Sequence, residues 1–366
     1  MKRKIIVALS GGVDSAVSAY LLKESGNDVE AVFMNNWDTL INGENNHKTN
    51  SIGCTNKEDL IDAIAIAKHL DIKLHVANFI ENYWNEVFLI FLEKYKKGIT
   101  PNPDILCNKA IKFEVFRNFV FDNFKADYFA MGHYAIKKEN LDGSFDLLTA
   151  KDKHKDQTYF LCDLNQIQLE KAIFPIGNYL KNDVRKIAKN ANLPNWNKKD
   201  STGICFIGKR NFEEFLSNYI PNKKGNIIDI KTNEILGTHN SISYYTIGQR
   251  KNIGLSGMDS RYYICEKDLT NNILYVTNDE NSKEISSFNM IDIENFNWIN
   301  KILSPSNVKI RYRHCGELFA AKISGKNKIT IHFNDIQKFV SLGQYAVAYK
   351  DDICLGGGEI TKIYKK

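Results

Sequence analysis

No stretch of this 366-residue sequence approaches the 18 or so uninterrupted apolar residues that a membrane-spanning helix needs. Lys2-Arg3-Lys4 is followed by an apolar run, Ile5 to Leu9, that is too short for an export signal, and transit-peptide character is missing. A cytoplasmic protein with no membrane partner is therefore expected. Cys-x-x-Cys is absent, and the seven cysteines are odd in number and scattered, which argues against both a disulfide framework and a zinc site. In a reducing cytosol most of them are expected to be free thiols. Internal repeats and low-complexity runs are also lacking. The charge excess is small, 49 basic against 43 acidic residues, or +6, which permits a nucleic-acid partner without arguing for one. What remains is an ordinary folded composition, 43% hydrophobic and 25% charged, long enough for about two to three domains.

From Lys4 to about Ile207, strand-like apolar runs alternate with helical patterns. Ile5 to Leu9 reads as a buried strand, Asp14 to Ser25 as a helix closed by Gly26, and Val29 to Met34 as the next strand. Thr55 with Glu58 makes a capping box for a helix through Leu70, followed by strands at Lys73 to Ala77 and Asp127 to Met131. Tyr83, Trp84, Val87, Phe88, Phe91, Leu92 and Tyr95 recur at helical spacing and read as core. This alternation predicts an α/β fold, a parallel sheet with helices on both faces, over residues 1–207. Beyond Gly208 the period changes. Ile227 to Leu236 and Tyr262 to Thr277 look like hairpins, predicting a small mixed central domain over 208–280. Short strands only, with period-two alternation at Val308/Ile310/Tyr312 and Ile329/Ile331/Phe333, predict an antiparallel barrel over 281–366.

Directly after the first strand stands Ser10-Gly11-Gly12-Val13-Asp14-Ser15. Successive glycines at a helix start let backbone N–H groups converge on an anion, the partial positive charge of the helix adds to them, and Ser10 and Ser15 bring hydroxyls. Asp14 would repel a phosphate unless a cation stood between them, so it is read as a Mg²⁺ ligand. The Gly-x-x-x-x-Gly-Lys-Ser/Thr of a Walker loop is absent, and no dinucleotide fingerprint is present. In its strand–loop–helix setting the hexapeptide resembles the pyrophosphate loop of the ATP pyrophosphatases, enzymes that transfer AMP to an oxygen. Met34 and Gly132 end the neighbouring strands at the same edge of the sheet and are candidate adenosine contacts.

Two cysteines stand in unusual surroundings. Cys107 follows Thr100-Pro101-Asn102-Pro103-Asp104-Ile105-Leu106, whose two prolines predict a rigid non-helical segment before a helix opens at Asn108-Lys109. Cys205 lies in the glycine-bracketed Ser201 to Gly208, with Lys209 and Arg210 downstream to favour its thiolate. The other five, Cys54, Cys162, Cys265, Cys315 and Cys354, read as packing residues.

With these segments the sequence resembles the tRNA-specific 2-thiouridylases. The likeness rests on Ser10 to Ser15, Asn102-Pro103-Asp104 with Cys107, Gly132-His133-Tyr134-Ala135, Lys155 to Leu161, Ser201 to Gly208 and Thr246 to Lys251, in that family's order, from residue 4 to about 360. The resemblance implies ATP-dependent thiolation of the wobble uridine. AMP would be transferred to the C2 oxygen and then displaced by sulfur, with Mg²⁺ and ATP contacts at Ala8, Leu9, Ser10, Gly11, Gly12, Val13, Asp14, Ser15, Met34 and Gly132. It implies Cys205 as persulfide carrier, Cys107 as the second thiol, a transient Cys107–Cys205 disulfide, and a persulfide donor protein. Asn102, Pro103 and Asp104 would meet the target base, Asp104 also serving as acid or base, or else as a helix cap. His133, Lys155, Asp156, Gln157, Arg311, Tyr312 and Gln344 would touch the tRNA anticodon stem-loop. Two alternatives stay open: another adenylating enzyme of the same fold, such as a lysidine or amide-forming synthetase, and a non-enzymatic tRNA-binding module.

Overall fold

The computed structural model describes residues 2–38, 55–200, 211–300, 307–326 and 328–365. The N-terminal sheet is parallel. Strands β1 (Lys4–Ala8), β2 (Asp28–Asn35), β3 (Leu74–Asn78) and β4 (Tyr128–Ala130), with the short strand Ala172–Ile173, lie in the order β3, β2, β1, β4, 172–173. β1 is central, so both its faces are buried, which is why it is apolar without alternation. Ile5 and Val7 pack with α1 (Val13–Glu24), α2 (Thr55–His69) and the helix Lys181–Asn190, whereas Ile6 and Ala8 face the aromatic core. The capping box expected at Thr55 falls on a side chain outside the described residues.

That second core is made by two helical runs. Residues 80–96 carry the aromatic stripe inward as predicted, with a π-helical segment at Trp84–Phe88. The second run corrects the sequence expectation. Its helix begins at Pro103, five residues before Asn108, and continues through a π-helical Cys107–Val115 into Phe116–Asn123. Proline at the first helical position loses no hydrogen bond and brings a suitable φ, while Asn102 caps the helix by accepting from the Ile105 N–H at 3.3 Å.

Both predicted central hairpins form, and Gly225–Asp229 pairs in parallel with Ile273–Asn278 to join them into one sheet. At the C-terminus, Ser287–Glu294, Lys328–Lys338, Phe319–Gly325, Val308–Arg311, Tyr345–Lys350 and Ile353–Lys365 pair in that order, and the last pairs back onto the first, closing an antiparallel barrel. Ile310, Tyr312, Ile329, Ile331 and Phe333 fill it, as the alternation predicts. A hairpin the sequence reading missed, Ala135–Glu139 with Phe145–Thr149, extends from the N-terminal unit and pairs with the barrel at Leu148–Ile353 and Leu147–Cys354. The barrel's sheet therefore extends onto a hairpin of the N-terminal unit, apart from the parallel sheet.

Candidate active site

The loop between β1 and α1 is shaped by what approaches it. Gly11 has φ +76°, and a Cβ there would stand 2.3 Å from the Asp59 carbonyl oxygen. At Gly132 a Cβ would stand 2.8 Å from the Ser15 nitrogen, so the end of β4 lies directly on the helix start. Inside the loop the Ser10 and Ser15 hydroxyls lie 3.1 Å apart, and Ser15 Oγ donates to the Gly12 carbonyl at 3.0 Å. Asn195 fixes the outer side by donating to the Gly11 carbonyl at 2.9 Å. The N–H groups of Gly11, Val13, Asp14 and Ser15 meet no acceptor among the described residues. Such a cradle at a helix N-terminus fits the phosphates of a nucleotide.

Asp14 is held by protein groups on both oxygens. Both its oxygens are taken by Lys181 Nζ, at 2.8 and 2.9 Å, and Tyr134 donates its hydroxyl to Oδ1 at 2.9 Å. Lys181 also meets Asp200 at 2.8 Å, and Asp200 is held further by Lys155 at 2.8 Å and Arg185 at 2.5 Å. Burial alone would raise the Asp200 carboxyl, but hydrogen bonds and charge from Lys155 and Lys181 outweigh it and hold the group far below the usual range. No cluster of three His, Cys, Asp or Glu side chains able to hold a metal occurs among the described residues. Asp14, read from the sequence as a Mg²⁺ ligand, has its carboxylate on Lys181 and Tyr134 in this structure.

The Pro101–Cys107 segment is gripped by the barrel. Gln344 Nε2 donates to the carbonyls of Thr100 and Pro101 at 3.0 and 3.4 Å, and the Thr100 N–H donates to Leu342. Gln344, expected on the RNA, thus has its amide turned to the protein. Asp104 is half-buried; burial raises its carboxyl above the ordinary range, with Lys112 opposing. Cys107, one helical turn on, is 3% exposed. Its placement in buried regular structure corrects the expectation of a loop cysteine. Cys205 and the rest of 201–210 lie outside the described residues, as does Cys54. Cys162, Cys265 and Cys354 are buried as expected of packing residues, whereas Cys315 is exposed.

Other expected RNA contacts also turn out to be interior. His133 is buried against Phe113 and Phe174. Asn108 uses its amide on the Phe160 carbonyl, so its Oδ1 accepts from His133 Nε2 at 3.1 Å, leaving the buried Nδ1 without a partner. Burial, with Lys112 nearby, holds the ring neutral. Asp156 is buried, accepting from the Ala150 N–H and the Thr158 hydroxyl, and pairs with Arg311 at 3.6 Å across the junction with the barrel. Gln157 accepts from the Tyr134 N–H. Tyr312 stacks on Phe319 inside the barrel. Of the expected tRNA contacts, Lys155 alone keeps its charged end well exposed, beside Asp200. The tripeptide Gly132-His133-Tyr134 emerges as the bridge of the site: Gly132 lies on Ser15, Tyr134 holds Asp14, and His133 holds Asn108, the neighbour of Cys107. Lys181, Arg185 and Asn195 gave no signal in the sequence, since Lys181 and Arg185 are two of many polar residues on the helix Lys181–Asn190 and Asn195 is a polar residue in a turn.

Three protein-family profiles cover the chain: a "tRNA methyl transferase HUP domain" over residues 3–209, a "tRNA methyl transferase PRC-barrel domain" over 213–278, and an "Aminomethyltransferase beta-barrel domain" over 288–360. Among curated relatives, tRNA-specific 2-thiouridylase MnmA of Malacoplasma penetrans is 50% identical over 373 residues, covering 98% of this chain and 98% of that one. The protein of the same name from Mycoplasma capricolum subsp. capricolum is 48% identical, with 100% of each chain covered. That of Ureaplasma parvum serovar 3 is 47% identical, covering 99% of this chain and 95% of its own.

Proposed function

This chain belongs to the tRNA-specific 2-thiouridylase family, and from that premise we propose that it converts the wobble uridine of tRNA to 2-thiouridine at the expense of ATP. The observation that supports the reading most is the Gly132–Tyr134 bridge, which lies on the anion cradle through Gly132 and Tyr134 and bonds through His133 to Asn108, the neighbour of Cys107. The C2 carbonyl of uracil is a poor electrophile. Its oxygen attacks the α-phosphorus, pyrophosphate leaves, and the cradle N–H groups take up the charge that builds on the departing phosphates. A sulfur nucleophile then attacks C2 and AMP leaves. Ala8 to Ser15, Met34 and Gly132 line the nucleotide side. Mg²⁺ bound with the nucleotide would supply charge neutralisation for the departing phosphates, with Asp14 and its Lys181 partner beside the cradle.

Asn102, Pro103 and Asp104 face the base. Burial raises the Asp104 carboxyl, which favours its protonated form and suits it to pass a proton to the base or to a sulfur. Cys205 carries the sulfur as a persulfide delivered by a donor protein. Cys107 thiolate attacks the Cys205 sulfur, expelling the terminal sulfur towards the adenylated base and leaving a Cys107–Cys205 disulfide for an external thiol to reduce. His133, Asp156, Gln157, Arg311, Tyr312 and Gln344 shape the surface that receives the anticodon stem-loop, with Lys155 at its edge. No helix among the described residues is long and apolar enough to cross a membrane, and we place the enzyme with its substrate in the cytoplasm. The test is a single-turnover assay following pyrophosphate and tRNA-bound sulfur in Cys107→Ser plus Cys205→Ser. Pyrophosphate release without thiolation is expected; retained thiolation would favour an adenylating enzyme that needs no thiols, and absence of pyrophosphate release in the unaltered protein would favour a binding module.

A further inference from the structure

An aspartate in the first turn of the helix that receives phosphate needs explaining, because its charge opposes the ligand. We infer that Lys181 is the cation that neutralises Asp14 in the phosphate site, a positioning residue doing in the resting protein what a protein-held metal ion would otherwise do; the inference rests on the ATP reading above. The geometry is specific. Lys181 Nζ contacts both Asp14 oxygens and Asp200 Oδ1, all within 2.9 Å, and its side chain is only 12% exposed. The Tyr134 hydroxyl, on Asp14 Oδ1, fixes the carboxylate from the other side, and the Tyr134 ring stands 5.7 Å from the ammonium. The backbone of Lys181 is itself pinned, its N–H donating to Asp152 Oδ2 at 2.9 Å at the start of its helix.

Among the described residues, Asp14, Asp152 and Asp200 face Lys155, Lys181 and Arg185, three charges of each sign, so this group of six is balanced before any ligand enters. A triphosphate added to a balanced cluster must bring its own counter-charge, which assigns the divalent cation to the nucleotide. It also predicts a sign. Removing the ammonium leaves the Asp14 carboxylate beside the phosphate site with Tyr134 but no cation, and removing that carboxylate as well relieves the repulsion.

The experiment measures binding of α,β-methylene-ATP with Mn²⁺ as the paramagnetic probe. The wild-type protein without nucleotide is expected to leave the Mn²⁺ spectrum unbound, and the analogue to bring the ion into the complex. Lys181→Met should weaken analogue binding by roughly tenfold or more, as loss of a charged hydrogen-bonded partner implies. Lys181→Arg should stay close to wild type, and Lys181→Met combined with Asp14→Asn should regain most of the loss. A purely structural lysine would show no such rescue. Stoichiometric Mn²⁺ binding to the nucleotide-free wild type that disappears in Asp14→Asn would overturn the inference while leaving the ATP reading intact, and so would undiminished analogue binding by Lys181→Met. A wild-type protein that binds no analogue at all would overturn both.

Discussion

His133 follows the residue that lies on the phosphate loop, and burial keeps its ring neutral, so its folded pKa lies below the unfolded value of about 6.5. The unfolded chain then binds the extra proton first. Stability from this group is complete above about pH 6.5 and is lost as pH falls below it, with a slope of up to about 1.4 kcal/mol per pH unit. Urea melts at pH 7.5 and 5.5 should show His133→Gln losing less between the two than wild type. Asp200 has the opposite dependence: its depressed carboxyl stabilises the fold above the unfolded value of about 3.9, and that contribution is lost as pH falls towards the lower folded value. Wild type should therefore exceed Asp200→Asn in stability at pH 7, with the difference beginning to narrow only as pH falls below about 3.9. At this scale the sequence was legible where chemistry is concentrated, at Ser10 to Ser15 and at Asn102 to Cys107. It was not legible where a polar residue acts by reaching across the fold, because Lys181, Arg311 and Gln344 find their partners through tertiary placement alone.

Elements position the site through short, rigid contacts. Gly132 is a strand end that must touch a helix start, so Gly132→Ala would drive a Cβ into the Ser15 backbone. It is expected to lower nucleotide affinity about tenfold or more, at a stability cost of about 1–3 kcal/mol, readable by titration calorimetry and urea melts. Gln344→Ala frees the Thr100 and Pro101 carbonyls from the barrel. The expected outcome is a stability loss of about 1–2 kcal/mol with reduced kcat for thiolation and an unchanged affinity for the nucleotide analogue. Element type was largely readable from period: the β1 run, the aromatic stripe of 80–96 and the inward-facing barrel positions all follow the expected spacing. The start of the Cys107 helix was misjudged because Pro103 was read as a breaker where, preceded by a capping Asn102, it is a helix starter. The π-helical turns there leave no mark in apolar periodicity.

Across the whole molecule, the continuous sheet from the 135–149 hairpin into the barrel makes the C-terminal unit part of the active-site scaffold. Tyr159 and Thr158 bond to Tyr345 and Tyr349 of the barrel, and Asp156 pairs with Arg311, so a chain ending at Asn278 loses partners for a buried layer of the nucleotide-binding unit. Such a truncation is expected to melt at lower temperature with weakened cooperativity in calorimetry, while the intact chain unfolds those two units together. The three-part architecture followed from the change of period along the chain; the sheet that joins the parts did not, since cross-unit strand pairing is set by long-range geometry. The central claim, that a nucleotide cradle and two thiols act on one uridine, is tested most directly by mass spectrometry of wobble uridine after a single turnover with persulfide-loaded protein, ATP and unmodified tRNA. The account predicts one oxygen-to-sulfur exchange per tRNA, absent without ATP and absent in Cys107→Ser or Cys205→Ser. Sulfur incorporation that persists without ATP, or in either serine variant, would contradict it.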